Sequence, residues 1–345
     1  MELAAEWRNS PLDSFLGGEG LTLSELRQLL AALALALRPR FLAEFARFRQ
    51  DVFGLDQGEP WEDMYTLVAG RWAAAAERVV PEFDPVAAVQ RAARAMGFDP
   101  DRIHMDLEDR PYKRSGASAW LTRIPDDIRL MLKTKSRLDD LRLLYHEMGH
   151  ALHFANIDPT LPFPTRNGFS FGVAETFSHW LESLLGDTHY LQSELGFDDR
   201  AAAEMARFIR FTLIAYVTWL AAESLCLLDC WSGGPLTLAE IGERYSDYMQ
   251  QYAGLTVPPM AIRAQGMFIS TLSLNGVGFV PAMARLGHLL GQLEAVRRDW
   301  WNSPEAAALV RGYMGGGRYP GFPRQMLDIA PIVARYGGEQ AAPVP

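Results

Sequence analysis

The chain has 345 residues, 49% of them apolar and 22% charged, with a formal net charge of −9. That is the balance of a globular enzyme of one large or two ordinary domains, and it excludes a disordered or low-complexity scaffold. The acidic balance argues against nucleic acid and anionic membrane surfaces as partners.

Met1-Glu2-Leu3-Ala4-Ala5-Glu6-Trp7-Arg8 lacks the basic start and apolar core of a signal peptide, so a cytoplasmic protein is expected. Helical periodicity then dominates. Leu26, Leu29, Leu30, Leu33 and Leu37 line one face of a helix from Thr22, expected to be interrupted at Pro39 and followed by another over 41–53. Helices are predicted over 61–80 and 87–96, the second started by Asp84-Pro85. Residues 117–134 are the strand region: Ile128, Leu130 and Leu132 alternate with Arg129, Met131 and Lys133, and the segment 118–122 pairs with them as a hairpin. Ser136 caps a helix to about Phe154, and others are predicted over 173–185, 199–231, 237–252, 277–300 and 304–313. Phe211 to Cys230 is the most apolar stretch; Glu223 and Asp229 interrupt it, so it reads as a buried helix rather than a membrane span. It also holds the two cysteines, Cys226 and Cys230, which read as free thiols in the core.

The helix that starts at Ser136 contains His146-Glu147-Met148-Gly149-His150, an H-E-x-x-H pattern. Four residues turn a helix through about 400°, so the two imidazoles project from adjacent turns of one face, where both can bind a single zinc ion. Glu147 sits beside them, within reach of a water on the metal. With this composition the pattern arises by chance roughly 0.01 times per chain, so coincidence is a poor explanation. Two buried imidazoles around an unpaired Glu would also be costly without a cation. A third histidine ligand in the metzincin arrangement fails, because the positions it needs hold His153 and Asn156. The next helix offers Glu175, Ser178, His179 and Glu182 on one face, at offsets 0, 3, 4 and 7. Glu175 is the expected third ligand and His179 its rival. Glu182 is placed to accept an N–H from a ligating imidazole, and Ser178 and His179 can support the ligands likewise. His153, seven residues from His146 and so near its face, reads as a packed or hydrogen-bonded structural residue, with support of a metal ligand as the alternative; His104, His189 and His288 read as structural or surface residues.

These residues resemble the zinc oligopeptidases of the thimet oligopeptidase and oligoendopeptidase F family, peptidase family M3. Asp139-Asp140-Leu141 followed by Tyr145 to His153 is similar to the family's active-site helix. The 24 residues between His150 and Glu175 match its spacing, and Glu175 to Glu182 resembles its E-x-x-S-x-x-L-E helix. Lys113 to Ala117, the strand 128–134 and Tyr313 to Pro320 resemble flanking segments, so the likeness covers about 99–330. It implies a mainly α fold, a helical metallopeptidase with one small β-sheet or hairpin next to the HExxH helix. It implies one Zn²⁺ ion on His146, His150 and Glu175, and Glu147 as general base. It further implies hydrolysis of internal bonds in short peptides, with the substrate added as a strand to the edge formed by Leu130, Met131, Leu132 and Lys133. Lys133 and Lys135 either favour acidic groups there or only solubilise an exposed edge. On this reading 1–98 is a reduced N-terminal helical region, 99–335 the peptidase domain and 336–345 a flexible tail.

Two departures stand out. Family members are roughly twice as long, so the cleft is either more open here or closed by a second copy of the chain. The late His and Tyr that face the scissile carbonyl in the family are missing between Met260 and Arg285. Gln265, Asn275, Tyr313 and Tyr319 are the candidate replacements. Two other functions therefore stay open: a zinc-bearing peptide or partner-binding module with attenuated or no proteolysis, and a carboxypeptidase of the related helical HExxH type.

Overall fold

The computed structural model describes residues 11–54, 61–63, 77, 80–113, 116–133, 136–168, 170–232, 236–263, 275–317 and 321–337. In chain order its elements are α1 (Pro11–Glu19), α2 (Leu23–Phe53), α3 (Pro85–Ala95), β1 (Ile103–Asp106), β2 (Gly116–Arg123), β3 (Asp127–Lys133), α4 (Arg137–Ala155), α5 (Phe163–Asn167), α6 (Phe171–Glu182), α7 (Thr188–Leu195), α8 (Asp199–Ser232), α9 (Leu238–Tyr248), α10 (Asn275–Val296), α11 (Pro304–Met314) and α12 (Ala330–Tyr336). The class is mainly α with one small sheet, as expected. The helix expected over 61–80 lies largely outside the described residues.

The chain forms two compact units, each assembled from separate stretches. One comprises 1–69, 211–287 and 327–345. Its core is the apolar face of α2, where Leu26, Leu30, Leu33, Leu37 and Phe41 are buried. Contrary to expectation, α2 runs unbroken through Pro39. An internal proline costs about 3 kcal/mol, and burying one Leu or Phe side chain returns about 1.5–3 kcal/mol, so core residues on both sides of Pro39 hold the helix together. In the same unit a buried Arg285–Glu19 ion pair closes at 2.7 Å. The most apolar stretch of α8 is long enough to cross a membrane by length and composition, but it is largely buried within the protein. Cys226 is buried and Cys230 half-buried, both as free thiols.

The other unit comprises 70–210 and 288–326 and carries every residue of the H-E-x-x-H constellation. Its sheet has the order β1-β3-β2. The expected hairpin is present: β2 runs antiparallel to β3, with Ala119 opposite Leu130. β1, too short for alternation to reveal, pairs parallel to β3. This corrects one expectation. Leu130, Met131, Leu132 and Lys133 lie in the central strand, laddered to β1 as far as Met131 and to β2 through Lys133, so β3 is not the edge strand of the sheet. Lys133 instead lies 3.7 Å from Asp109. Ile128, Leu130 and Leu132 are buried on one face of the sheet, as are Leu141, Leu144, Met148 and Leu152 of α4.

Candidate metal centre

The site is built on two helices. Ser136 caps α4 by accepting from the Asp139 N–H at 3.1 Å. The Glu77 carboxylate takes up two more N–H groups of the first turn, those of Arg137 at 2.9 Å and Leu138 at 3.0 Å. With its orphan donors satisfied, the helix start is fixed. Ser170 caps α6 in the same way, accepting from Val173 at 3.1 Å. α6 is buried at every position from Gly172 to Glu182, including Glu175, His179 and Glu182. Two carboxylates and an imidazole in such surroundings need compensation.

The compensation comes from α4. His146 Nε2 lies 3.4 Å from Glu175 Oε2, and His150 Nε2 lies 3.6 Å from Glu175 Oε1. His146 turns its other nitrogen, Nδ1, to Glu182 Oε2 at 2.9 Å. His179 Nδ1 reaches the same oxygen at 2.9 Å, and its Nε2 lies 3.6 Å from Glu175 Oε2. Arg142 donates to Glu182 Oε1 at 3.2 Å, and the Ser178 hydroxyl donates to Glu175 Oε2 at 2.9 Å. Burial resists charge on His146, but the hydrogen bond to Glu182 and the charge of Glu175 push its pKa up to about 9. Burial opposes charge on both carboxyls as well; the imidazoles facing them outweigh it and hold both well below the usual carboxylate range. For His179 burial wins, and its pKa is lowered.

This geometry fits a divalent metal. His146 Nε2, His150 Nε2 and a Glu175 oxygen lie within 4.8 Å of one another. With bonds of 2.0–2.2 Å, the ligand atoms of a tetrahedral zinc site stand about 3.4 Å apart. The observed 3.4 and 3.6 Å are too long for good hydrogen bonds but suit the edges of such a tetrahedron. A proton on His146 Nε2, favoured by the raised pKa of the ring, or a metal ion in the same place can offset the Glu175 charge; with the metal, Nδ1 would donate to Glu182 and leave the Nε2 lone pair for the ion. Glu182→Gln is accordingly expected to weaken zinc binding about 10–100-fold, measured by competition with a chromophoric chelator. Unchanged affinity would show that His146 does not depend on this partner.

Glu147 points elsewhere. Its Oε2 accepts the backbone N–H of Ala119, in β2, at 2.7 Å. That N–H therefore faces away from β3, and the sheet edge next to the site is the outer edge of β2, to which no strand pairs among the described residues. Neither Ala119 nor Arg142 was singled out from the sequence. Arg142 stands four residues before His146, one turn along the same helix, and that spacing was a readable signal. Ala119 acts through its backbone and left none.

The remaining candidates fall as follows. The Tyr313 hydroxyl donates to Gln292 at 3.3 Å, and its ring packs on Phe322. Asn275 begins α10, and its side chain lies outside the described residues, as do Gln265 and Tyr319. His153 is wholly buried between Phe154 and Phe177, with ring centroids at 4.7 and 4.4 Å. Burial lowers its pKa to about 3, so it is a neutral packing residue.

No protein-family model and no curated protein sequence matches the chain. Solved structures do match in fold. A Bacillus anthracis str. Ames protein assigned as an oligoendopeptidase F superposes with a TM-score of 0.61 at 12% identity, over 94% of this chain and 57% of that one. PZ peptidase A gives 0.56 at 14% identity, over 94% and 60%. The M32 carboxypeptidase from Deinococcus radiodurans R1 gives 0.52 at 17% identity, over 95% and 80%. The chain thus shares the mainly helical fold of these peptidases and spans less than two thirds of the first two proteins. Identities this low speak for fold alone.

Proposed function

We propose that the protein is a zinc-dependent metallopeptidase that hydrolyses internal bonds of short peptides. The observation that carries this reading is the convergence of His146, His150 and Glu175 beside Glu147, in a fold shared with an oligoendopeptidase F-like protein and an M32 carboxypeptidase. His146 Nε2, His150 Nε2 and a Glu175 oxygen would hold the ion. A zinc ion there acts as a Lewis acid toward a peptide carbonyl and makes water a stronger nucleophile at neutral pH. The chain's own contribution is proton handling and positioning. Glu147, oriented by the Ala119 N–H, accepts a proton from the attacking water and returns it to the departing amine. Glu182, ionised and shared by His146, His179 and Arg142, keeps the His146 ring in the tautomer that offers Nε2. Among the described residues no strand pairs with the outer edge of β2; with the Ala119 N–H held by Glu147, the outward backbone groups of Ala117 and Leu121 are the ones an extended peptide would ladder onto, on either side of Glu147.

A carboxypeptidase is the second reading, favoured by the 80% of the M32 carboxypeptidase that this chain covers. One experiment separates the two: a mixed peptide pool incubated with zinc-loaded protein, with and without chelator, and read by mass spectrometry. We expect internal cuts that vanish on chelation and return with zinc. Stepwise loss of C-terminal residues would assign the carboxypeptidase instead. An untouched pool, with zinc shown bound by elemental analysis, would overturn both and leave a binding module.

A further inference from the structure

Trp120 is the large apolar side chain most exposed on the sheet, at 57%. It is held in place, because its indole N–H donates to Ser118 Oγ at 2.8 Å, two residues back along β2. The ring therefore lies along the strand rather than sweeping through solvent, and its conformational freedom is already spent before any ligand arrives. Its position follows from strand geometry. Ala119 turns its N–H out of the sheet edge to Glu147, so Ala117, Ala119 and Leu121 direct their backbone groups outward, while Ser118 and Trp120 direct theirs to β3. Side chains alternate as well. Those of Ala117, Ala119 and Leu121 share a face with Leu132, Leu130 and Ile128, buried in the core, whereas Ser118 and Trp120 project from the opposite face.

A peptide that adds to this edge has every second side chain on the outer face, within about 4.5–5.5 Å of its cross-strand neighbour on β2. The residue in register with Trp120 is then one step from the position opposite Ala119, where Glu147 stands. We propose that Trp120 is the specificity-determining residue of this site, and that it selects peptides carrying an aromatic or large aliphatic side chain next to the bond that is cut. The inference rests on the peptidase reading and on strand addition to β2. Trp120 forms one wall of a subsite open to solvent on its other side, so the selection is modest: about fivefold to tenfold for Phe over Ser at that position, the range of one aromatic pair.

The test uses the full-length, zinc-loaded protein. The cut sites of the wild type are first mapped on the peptide pool. A cleaved peptide is then synthesised as a series, with Phe, Leu or Ser at each position flanking the cut in turn. We expect one flanking position at which Phe and Leu are preferred. In Trp120→Ala the preference at that position falls to near unity, because kcat/KM drops on the Phe and Leu peptides about fivefold to tenfold more than on the Ser peptide. Trp120→Phe restores most of the preference, and Ser118→Ala, which frees the ring, gives an intermediate ratio. An unchanged Phe-to-Ser ratio in Trp120→Ala would overturn the proposal, and so would an equal loss on every peptide. Failure of the wild type to cut any peptide would instead count against the peptidase reading, so the two failures are distinguishable.

Discussion

Glu147→Gln is expected to retain zinc at the wild-type content and to lose about 10²–10⁴-fold in kcat, the contribution of a positioned general acid–base. The substitution is close to isosteric. The Gln carbonyl oxygen can still accept the Ala119 N–H, now held at 2.7 Å, so the side chain has reason to stay where it is. It loses the capacity to take a proton at neutral pH. Metal retention follows because the converging atoms belong to His146, His150 and Glu175, whereas Glu147 is directed at β2. Elemental analysis, a thermal melt and kcat on a single cleaved peptide decide the matter. Wild-type turnover in this variant would remove Glu147 from the mechanism. A parallel loss of zinc would show that it supports the metal. Glu147→Asp is a useful companion, since a carboxylate withdrawn by one methylene keeps its basicity but gives up the Ala119 contact.

Much of the centre was legible in the sequence because it depends on helical spacing. Four residues from His146 to His150, and seven from Glu175 to Glu182, each leave two side chains on one face, and a helix has little freedom to place them otherwise. The features that escaped depend on neighbours distant in sequence. Alternation at Ile128, Leu130 and Leu132 identifies a strand with one buried face, but a central strand and an edge strand alternate alike. β1 decided which one this was, with only four residues to announce itself. Pro39 shows the same limit from the other side. A local rule ends a helix there, and the burial of Leu33, Leu37, Phe41 and Phe45 overrules it. The double use of Glu182 by His146 and His179 also needed the structure, because which two rings meet one oxygen depends on how close α4 and α6 come.

That closeness depends on Gly149, the residue just before the second histidine of the pattern. A Cβ added there would lie 2.4 Å from the Phe177 carbonyl oxygen and 2.7 Å from the Ser178 Cα. Both are backbone atoms of α6, and neither can turn aside as a side-chain tip would. In a free helix, Gly→Ala stabilises by up to about 1 kcal/mol. Here the clash opposes that gain, and forcing a packed interface apart costs about 1–3 kcal/mol. With backbone on the receiving side we expect the upper end, so Gly149→Ala should be destabilised by about 2 kcal/mol net. The damage to metal binding should be larger, because α4 carries His146 and His150 while α6 carries Glu175. An outward shift of a few tenths of an ångström lengthens the 3.4 and 3.6 Å separations together. We therefore expect zinc affinity to fall by more than 100-fold. Denaturant melts with and without zinc report both effects, since a ligand at 100 times its Kd adds about 2.7 kcal/mol to stability. The variant should melt earlier without metal and gain almost nothing from zinc at a concentration that saturates the wild type. Gly312 is the control, because it sits in α11 with no atom within 4 Å of a Cβ placed there, so Gly312→Ala should stabilise slightly and leave the zinc response intact. If Gly149→Ala behaved like Gly312→Ala, the approach of α6 to α4 would not be what sets the metal centre.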